Sequence, residues 1–228
     1  MSESKLSCKV CGHEAKYIGS KDLGKGCLES SPYSETGVKV YYYTCKVCGL
    51  TFTPFFDGFS STQWKEHIYN EDYVLYDPDY LGARAEENLA NVPKILQQIG
   101  VVPIRSLDYG AGNNTFAEKS RAESYDPYGT SNLRPADRFD FITCFEVAEH
   151  HTNPRGLFSD LESLLGSKGV ILLTTLAINR PTIDNWYNGP RNGHCTIYNK
   201  KTLANLASYF NLSYKSLDHV THLFYRGY

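Results

Sequence analysis

"SLDYGAGNNTF", residues 106–116, is the stretch on which the fold turns. An apolar, β-prone run, "VVPIRSLDY" (101–109), leads into Gly110 and Gly112 and stops there. Glycines after a strand let a backbone approach a ligand with no Cβ in the way. Two phosphate cradles are excluded by the letters. The dinucleotide fingerprint needs a third glycine where this chain has Thr115, and the P-loop needs Gly-Lys-Ser/Thr where it reads Asn113, Asn114, Thr115. What is left is an acid-x-Gly-x-Gly turn from Asp108 to Gly112. Taken alone, it reads equally well as a ligand turn or as a plain strand-to-helix connection.

Working outward, strands and helices alternate. "IRSLDY" (104–109) is followed by a short helix, "TFAEKSRA" (115–122), and by a strand, "ESYD", that ends on Asp126. "FDFITCFEV" (139–147) reads as a buried strand. "NPRGLFSDLESLLG" (153–166) reads as a helix with Pro154 just inside its start and Gly166 at its end. "GVILLTTL" (169–176) is the next strand, and "NKKTLANLASYF" (199–210) a helix capped by Asn199. "LSYKSLDHV" and "HLFYRGY" close the chain as an antiparallel pair. Such alternation predicts an α/β domain with a mostly parallel sheet and helices on both faces. Ligands then bind beyond the carboxyl ends of the strands, at the switch point beside the first strand, where Asp108–Gly112 lies. Asp126, at the end of the second strand, is placed to accept both ribose hydroxyls. With no phosphate loop or arginine cluster nearby, a nucleoside with a free diol and no pyrophosphate is implied. S-adenosylmethionine fits that description.

The ordered set of segments resembles the class I S-adenosylmethionine-dependent methyltransferases over residues 104–228. "LDYGAGN" is similar to their first motif, "YDPY" to their second, "FDFITCFEVAEHHTNP" to their fourth and "GVILLTT" to their fifth. The resemblance implies a Rossmann-like sheet and a cofactor site built from Asp108, Gly110, Ala111, Gly112, Asn113, Asp126, Pro127 and Phe145. In it Asp108 orients the amino group of the cofactor and Asp126 holds its ribose. Glu146, at the end of the fourth-motif strand, is implied to face cofactor and substrate. One departure is large. Pro127–Arg138 is too short for the helix and third strand usual at this point, so a trimmed sheet of six strands is expected, with adenine covered by another segment.

Cys8 and Cys11 form one C-x-x-C and Cys45 and Cys48 another, each followed by glycine ("CKVCGH", "CKVCGL"). Two such knuckles aim four sulfurs at one point, the donor set of a tetrahedral structural zinc site. His13 is a substitute ligand. Strands "KVYYYTC" and "LTFTP" flank the second knuckle, and a zinc ribbon over 1–56 is expected. Residues 57–103 are expected to form a helical linker and cofactor lid. Its main helix, "ARAEENLANVPKILQQIG", carries Leu89, Val92, Leu96 and Ile99 on one face, with Pro93 inside, where a kink or a restart is expected, and Gly100 at its end.

Composition bounds the partners. The chain has 228 residues and a formal net charge of −2, which gives no global basic field for nucleic acid or an anionic membrane. No apolar run is long enough to span a bilayer and the first residues are polar, so a cytoplasmic protein with reduced thiols is expected. The letters carry no signal for an oligomeric state. Aromatic residues are 14% of the chain, with tyrosines crowded between residues 33 and 80, which hints at a tyrosine-lined pocket.

For the acceptor, the loop "DNWYNGPRNGHCTIYNKKTL" follows the fifth-motif strand, where this fold lines its acceptor site. His194 is the first candidate for a general base, since its ordinary pKa lies near neutrality. His150 and His151 are rivals, and both also read as helix-entry residues. Arg191 is the candidate for an anionic group of the substrate, with Tyr187 beside it. The N-terminal four-cysteine unit and tyrosine-rich linker make the chain similar to zinc-containing sugar methyltransferases, which implies a small, sugar-like acceptor methylated at oxygen. An RNA or protein acceptor with the ribbon as reader is the first alternative, and a non-catalytic cofactor-binding scaffold the second.

Overall fold

The computed structural model describes residues 6–127, 129, 131–179 and 182–226. The chain begins with short antiparallel strands: β1 (Leu6–Ser7), β2 (Glu14–Asp22), β3 (Lys39–Cys45) and β4 (Thr51–Phe52). A helical segment follows, with α1 (Ser61–His67), α2 (Tyr73–Tyr76), a 3-10 turn (Pro78–Leu81) and α3 (Ala83–Ile99). The α/β part then runs β5 (Ser106–Tyr109), α4 (Thr115–Ser120), β6 (Glu123–Tyr125), β7 (Phe139–Phe145), α5 (Pro154–Leu164), β8 (Leu165–Thr174), β9 (Thr196–Ile197), α6 (Lys200–Tyr209), β10 (Ser213–Ser216) and β11 (Thr221–Tyr225).

The large sheet has six strands in the order β10-β11-β8-β7-β5-β6. β6, β5, β7 and β8 run parallel, while β11 pairs antiparallel with both β8 and β10. The segment between Asp126 and Phe139 contributes no strand among its described residues, as its length predicts. Successive residues of each strand face opposite layers. Ile142, Cys144, Ile171, Leu173 and Phe224 join one core with Leu157, Leu161 and Leu206 of α5 and α6. Phe141, Val170, Leu172 and Leu223 join another with Val92 and Phe116, against which Leu89, Leu96 and Ile99 of α3 pack. β5 sits between β6 and β7, and the carboxyl ends of these three strands set the position of the site.

Two local expectations are corrected. α5 ends at Leu164, and Gly166 lies within β8 instead of closing the helix. There the chain passes straight from helix to strand, and a Cβ on Gly166 would stand only 3.1 Å from the Phe139 carbonyl oxygen, so close strand packing accounts for this glycine. Of the kink or restart expected at Pro93, the restart does not occur: α3 runs as one helix from Ala83 to Ile99. Its apolar face on the sheet offsets the hydrogen bond that proline removes, a loss of roughly 3 kcal/mol in a helix interior.

The ribbon is not set apart from the rest. β9 adds to its sheet, pairing Thr51 with Ile197 and Phe52 with Thr196, to give the order β1-β2-β3-β4-β9. Cys8, Val10, Cys45, Cys48, Leu50 and Phe52 belong to the same buried cluster as Tyr198 and Leu203. Gly49 has φ +85°, and a Cβ there would strike the side chain of Asn199, which donates to the Gly49 carbonyl at 3.3 Å while capping α6. Glycine at this knuckle thus serves the turn and the seam at once.

Candidate active site

The loop after β5 lies where the sheet order reverses. Gly110 (φ +76°) turns the chain sharply, its N–H bonded to the Tyr125 carbonyl at 2.7 Å, and a Cβ on it would overlap Val147 Cγ2. Only glycine satisfies both conditions. Asp126 reaches back from the end of β6 and accepts the Gly112 N–H at 2.9 Å and the Gly129 N–H at 3.0 Å. Asp108 is buried and accepts from Thr143 Oγ1 at 2.7 Å. Burial, with Asp126 nearby adding repulsion, pushes its carboxyl up to about 6.

β7 ends at Phe145, set edge-on to Phe116 at 5.1 Å, and the next residue, Glu146, adopts a left-handed backbone (φ +51°). A non-glycine residue in that region is strained by about 1–2 kcal/mol. Glu146 is held there by Thr174, whose carbonyl and Oγ1 both accept its N–H, at 3.2 and 3.0 Å. The half-buried Glu146 carboxyl is pushed up to about 8, first by burial and then by the neighbouring Glu149. Glu149 is itself completely buried, which also raises it. Its Oε1 accepts the Tyr187 hydroxyl at 2.7 Å.

Asp108, Gly110, Gly112, Asp126, Phe145 and Glu146 line a cavity of about 450 Å³, within the range of small-ligand pockets. Its floor carries Asp108, Gly110, Ala111, Gly112, Asn113, Asp126, Pro127 and Phe145, the full set expected for the cofactor. Glu146, Val147, His150 and His151 also line it. The roof is the helical segment: Trp64, Lys65, Tyr69, Tyr73, Asp77, Tyr80 and Arg84. The rings form a chain of contacts, Trp64 to Tyr69 at 5.9 Å, Tyr69 to Tyr73 at 5.1 Å and Tyr73 to Tyr80 at 5.6 Å. Arg84 is locked to Asp77 by two hydrogen bonds of 3.1 and 2.7 Å. Tyrosine density pointed to such a wall. No motif singled out Asp77 or Arg84, which the turn at Pro78–Leu81 folds back onto each other.

The loop of residues 187–194 departs from expectation. His194, Arg191 and Tyr187 are all buried and none lines the cavity. His194 sits behind His150, their ring centroids 4.9 Å apart and their planes at 66°, with Nδ1 bonded to the Tyr187 carbonyl at 2.9 Å. Burial, reinforced by His150, pushes its pKa down to about 3. Arg191 donates to the Ile68 carbonyl at 2.7 Å and to Asn70 Oδ1 at 2.6 Å, and its guanidinium stacks over the Tyr76 ring. It therefore fastens the roof and leaves no free face for a substrate anion. The loop is turned inward because Asn192 bridges the ribbon and the roof, accepting from the Cys27 N–H at 2.9 Å and donating to the Tyr76 carbonyl at 2.9 Å. His150, half-buried, lines the cavity in place of His194, with its pKa lowered to about 4 by burial.

On the far side of the chain, Cys8, Cys11, Cys45 and Cys48 bring their sulfurs within 4.8 Å of one another. Cys8 and Cys48, and Cys11 and Cys45, are 3.4 Å apart, too far for disulfides and suited to a shared tetrahedral ion. His13 is exposed and stands outside the cluster, bonded to the Cys11 carbonyl at 3.1 Å.

Residues 80–217 match the protein family described as "Methyltransferase domain". The chain belongs to the methyltransferase domain family. Among solved structures, this methyltransferase is similar to a SAM-dependent methyltransferase, described as a possible histamine N-methyltransferase, from Thermotoga maritima. The two share 13% identity over 67% of this chain and 95% of that one, with a TM-score of 0.52, which establishes a common fold. It is also similar to a putative O-methyltransferase from Nostoc punctiforme, at 12% identity over 68% of this chain and 59% of that one, with a TM-score of 0.48. No curated protein matches the sequence. The methyltransferase is thus an enzyme with the fold of the S-adenosylmethionine-dependent class. Among its described residues no helix is long and apolar enough to cross a membrane.

Proposed function

We propose that this methyltransferase uses S-adenosylmethionine to methylate a hydroxyl of a small, sugar-like acceptor bound under the aromatic roof, and that the four cysteines hold a structural zinc. The observation that carries this reading is the position of Glu146. It stands on the cavity wall between the Asp108–Asp126 floor and the tyrosine roof, its backbone held in a strained conformation, as happens at reacting centres. Bound S-adenosylmethionine supplies a methyl group on a cationic sulfur, open to displacement by an acceptor oxygen. The backbone at Gly110 and Gly112 gives it close approach, and Asp126 offers a carboxylate for the ribose. Glu146 receives the hydroxyl proton, its pKa poised near neutrality as general-base work requires. Trp64, Tyr69, Tyr73 and Tyr80 exclude water and offer flat apolar faces to a sugar ring, while Lys65 is available to its polar groups. The acceptor's size is supported by the cavity volume, which favours a small molecule over a macromolecule. The ribbon's place in a shared core supports a structural role for its metal.

The test combines two measurements. Calorimetry with S-adenosylhomocysteine should show binding to the wild type, and an Asp126→Ala variant should lose about 1.5–3 kcal/mol of it, the worth of hydrogen bonds to a charged group. In an acceptor screen over nucleotide sugars and free glycosides, Glu146→Gln should lower turnover by roughly 10²–10⁴ with cofactor affinity nearly unchanged. Binding of NAD with no binding of S-adenosylhomocysteine would overturn the cofactor, and full turnover in Glu146→Gln would overturn the base.

A further inference from the structure

We infer that Glu149, His150 and His194 form a second metal site, which takes a divalent transition ion of the cobalt, ferrous or zinc type at the inner wall of the cavity. Each residue offers one ligand atom, and the three atoms lie within 4.8 Å of one another. Two imidazole nitrogens and one carboxylate oxygen make a donor set for these ions, with coordination positions left open for other ligands.

Two independent observations point to a missing partner. Glu149 Oε2 and His150 Nδ1 are both wholly enclosed and, among the described residues, have no hydrogen-bond partner. Buried polar atoms are nearly always paired, so two orphans on adjacent residues, both members of a cluster whose ligand atoms lie within 4.8 Å of one another, call for a ligand. The groups behind them are arranged as metal ligands usually are. His194 Nδ1 lies 2.9 Å from the Tyr187 carbonyl, which can only accept. The ring proton therefore sits on Nδ1, and Nε2 presents a lone pair. Cys27 Sγ, 3.3 Å from the same Nδ1, holds the ring from the ribbon side. Glu149 Oε1 is fixed by the Tyr187 hydroxyl at 2.7 Å, leaving Oε2 as the donor. Tyr187 so positions two of the three ligands with one backbone and one side-chain oxygen. A tetrahedral set with bonds of about 2.0–2.2 Å has its ligand atoms roughly 3.5 Å apart, so the three must draw together as the ion enters. The route in is open, because His150 lines the cavity.

What the ion does rests on the function proposed above. Held by these three residues, the ion would acidify an acceptor hydroxyl that enters from the cavity, and Glu146 would take the proton. Binding itself does not depend on that reading and is tested separately. The full chain, its ribbon first filled with one equivalent of Zn²⁺, is titrated with Co²⁺ and followed by visible absorption. A second equivalent should appear, with weak d–d bands and no thiolate charge-transfer band. Glu149→Gln and His194→Gln should each weaken it by more than about tenfold, with S-adenosylhomocysteine still bound as the check that the cavity is folded. The inference is overturned if the wild type takes up no Co²⁺ beyond the ribbon, or if either variant that still binds S-adenosylhomocysteine holds the second equivalent as tightly as the wild type. Loss of S-adenosylhomocysteine binding in the wild type would instead overturn the methyltransferase cofactor and leave the metal result standing.

Discussion

Replacing Gly110 with alanine tests the geometry of the cofactor turn most directly. Two separate penalties meet at this residue. Its φ of +76° lies in the left-handed region, where a Cβ costs about 1–2 kcal/mol. The new methyl would also overlap Val147 Cγ2, and overpacking of this kind costs about 1–3 kcal/mol. Together Gly110→Ala should destabilise the fold by about 2–5 kcal/mol, the sum of those two ranges. The two parts separate in a double mutant. Val147→Ala removes the overlapping branch, and the remaining Val147 Cβ would lie 3.4 Å from the new methyl, an ordinary contact. In the Val147→Ala background Gly110→Ala should therefore cost only the backbone part, so the pair should couple favourably by about 1–3 kcal/mol. Urea unfolding of the four proteins measures this as shifts in midpoint at constant slope. Binding of S-adenosylhomocysteine should follow the same pattern, weakened in Gly110→Ala and partly restored in the double mutant. Strict additivity to within about 0.5 kcal/mol would refute the close approach of Gly110 and Val147.

Three further outcomes are expected. Glu146 is held protonated up to about pH 8 by burial and by Glu149. Below the ordinary histidine range the buried His150 and His194, pushed down to about 4 and about 3, oppose it, because they bind fewer protons folded than unfolded. From about pH 7 upward the histidines are neutral in both states and the folded chain carries the extra Glu146 proton, so stability should fall as pH rises from about 7 to 9, and affinity for cationic S-adenosylmethionine should rise over the same window; a stability that climbs over that window in urea titrations would contradict this. Arg191→Ala removes the bonds to Ile68 and Asn70 that fasten the roof, so it should raise the KM for the acceptor and speed proteolysis near residues 61–81, and a change confined to acceptor charge preference would return Arg191 to the substrate. Cys45→Ser, or stripping the metal with a chelator, should lower the melting temperature of the whole chain in one transition, because the ribbon cysteines share a core with α5 and α6; a folded residue 104–228 unit surviving at the wild-type temperature would show the halves to be independent.

Much of the α/β part was legible because its signals are local. Asp108, Gly110, Gly112 and Asp126 each sit at the end of a strand whose position follows from the apolar run before it, and the order of the strands then brings them together. The same holds for the cysteine pairs, whose turns are encoded within a few residues. The shortness of Pro127–Arg138 correctly predicted the trimmed sheet. His194, Arg191 and Tyr187 were misplaced because the facing of their loop depends on contacts remote in sequence, with Cys27, Ile68 and Tyr76. Nothing within "GPRNGHC" records those partners. β9 escaped notice for a related reason: two residues carry no periodicity, and their pairing with Thr51 and Phe52 exists only once the ribbon has docked.

The β4–β9 seam also orders the chain's assembly during synthesis. The cysteine knuckles leave the ribosome well before the outer strand of their sheet, Thr196–Ile197, and the helix cap that packs on Gly49. Until then the nascent ribbon exposes an unpaired strand edge and apolar side chains such as Phe52 and Leu50, both fully buried in the finished protein. Early zinc capture would hold that fragment in shape while it waits, so metal supply should govern the yield of soluble enzyme from translation more strongly than the endurance of enzyme already folded. Pulse-labelled synthesis in zinc-depleted and zinc-replete extracts separates the two.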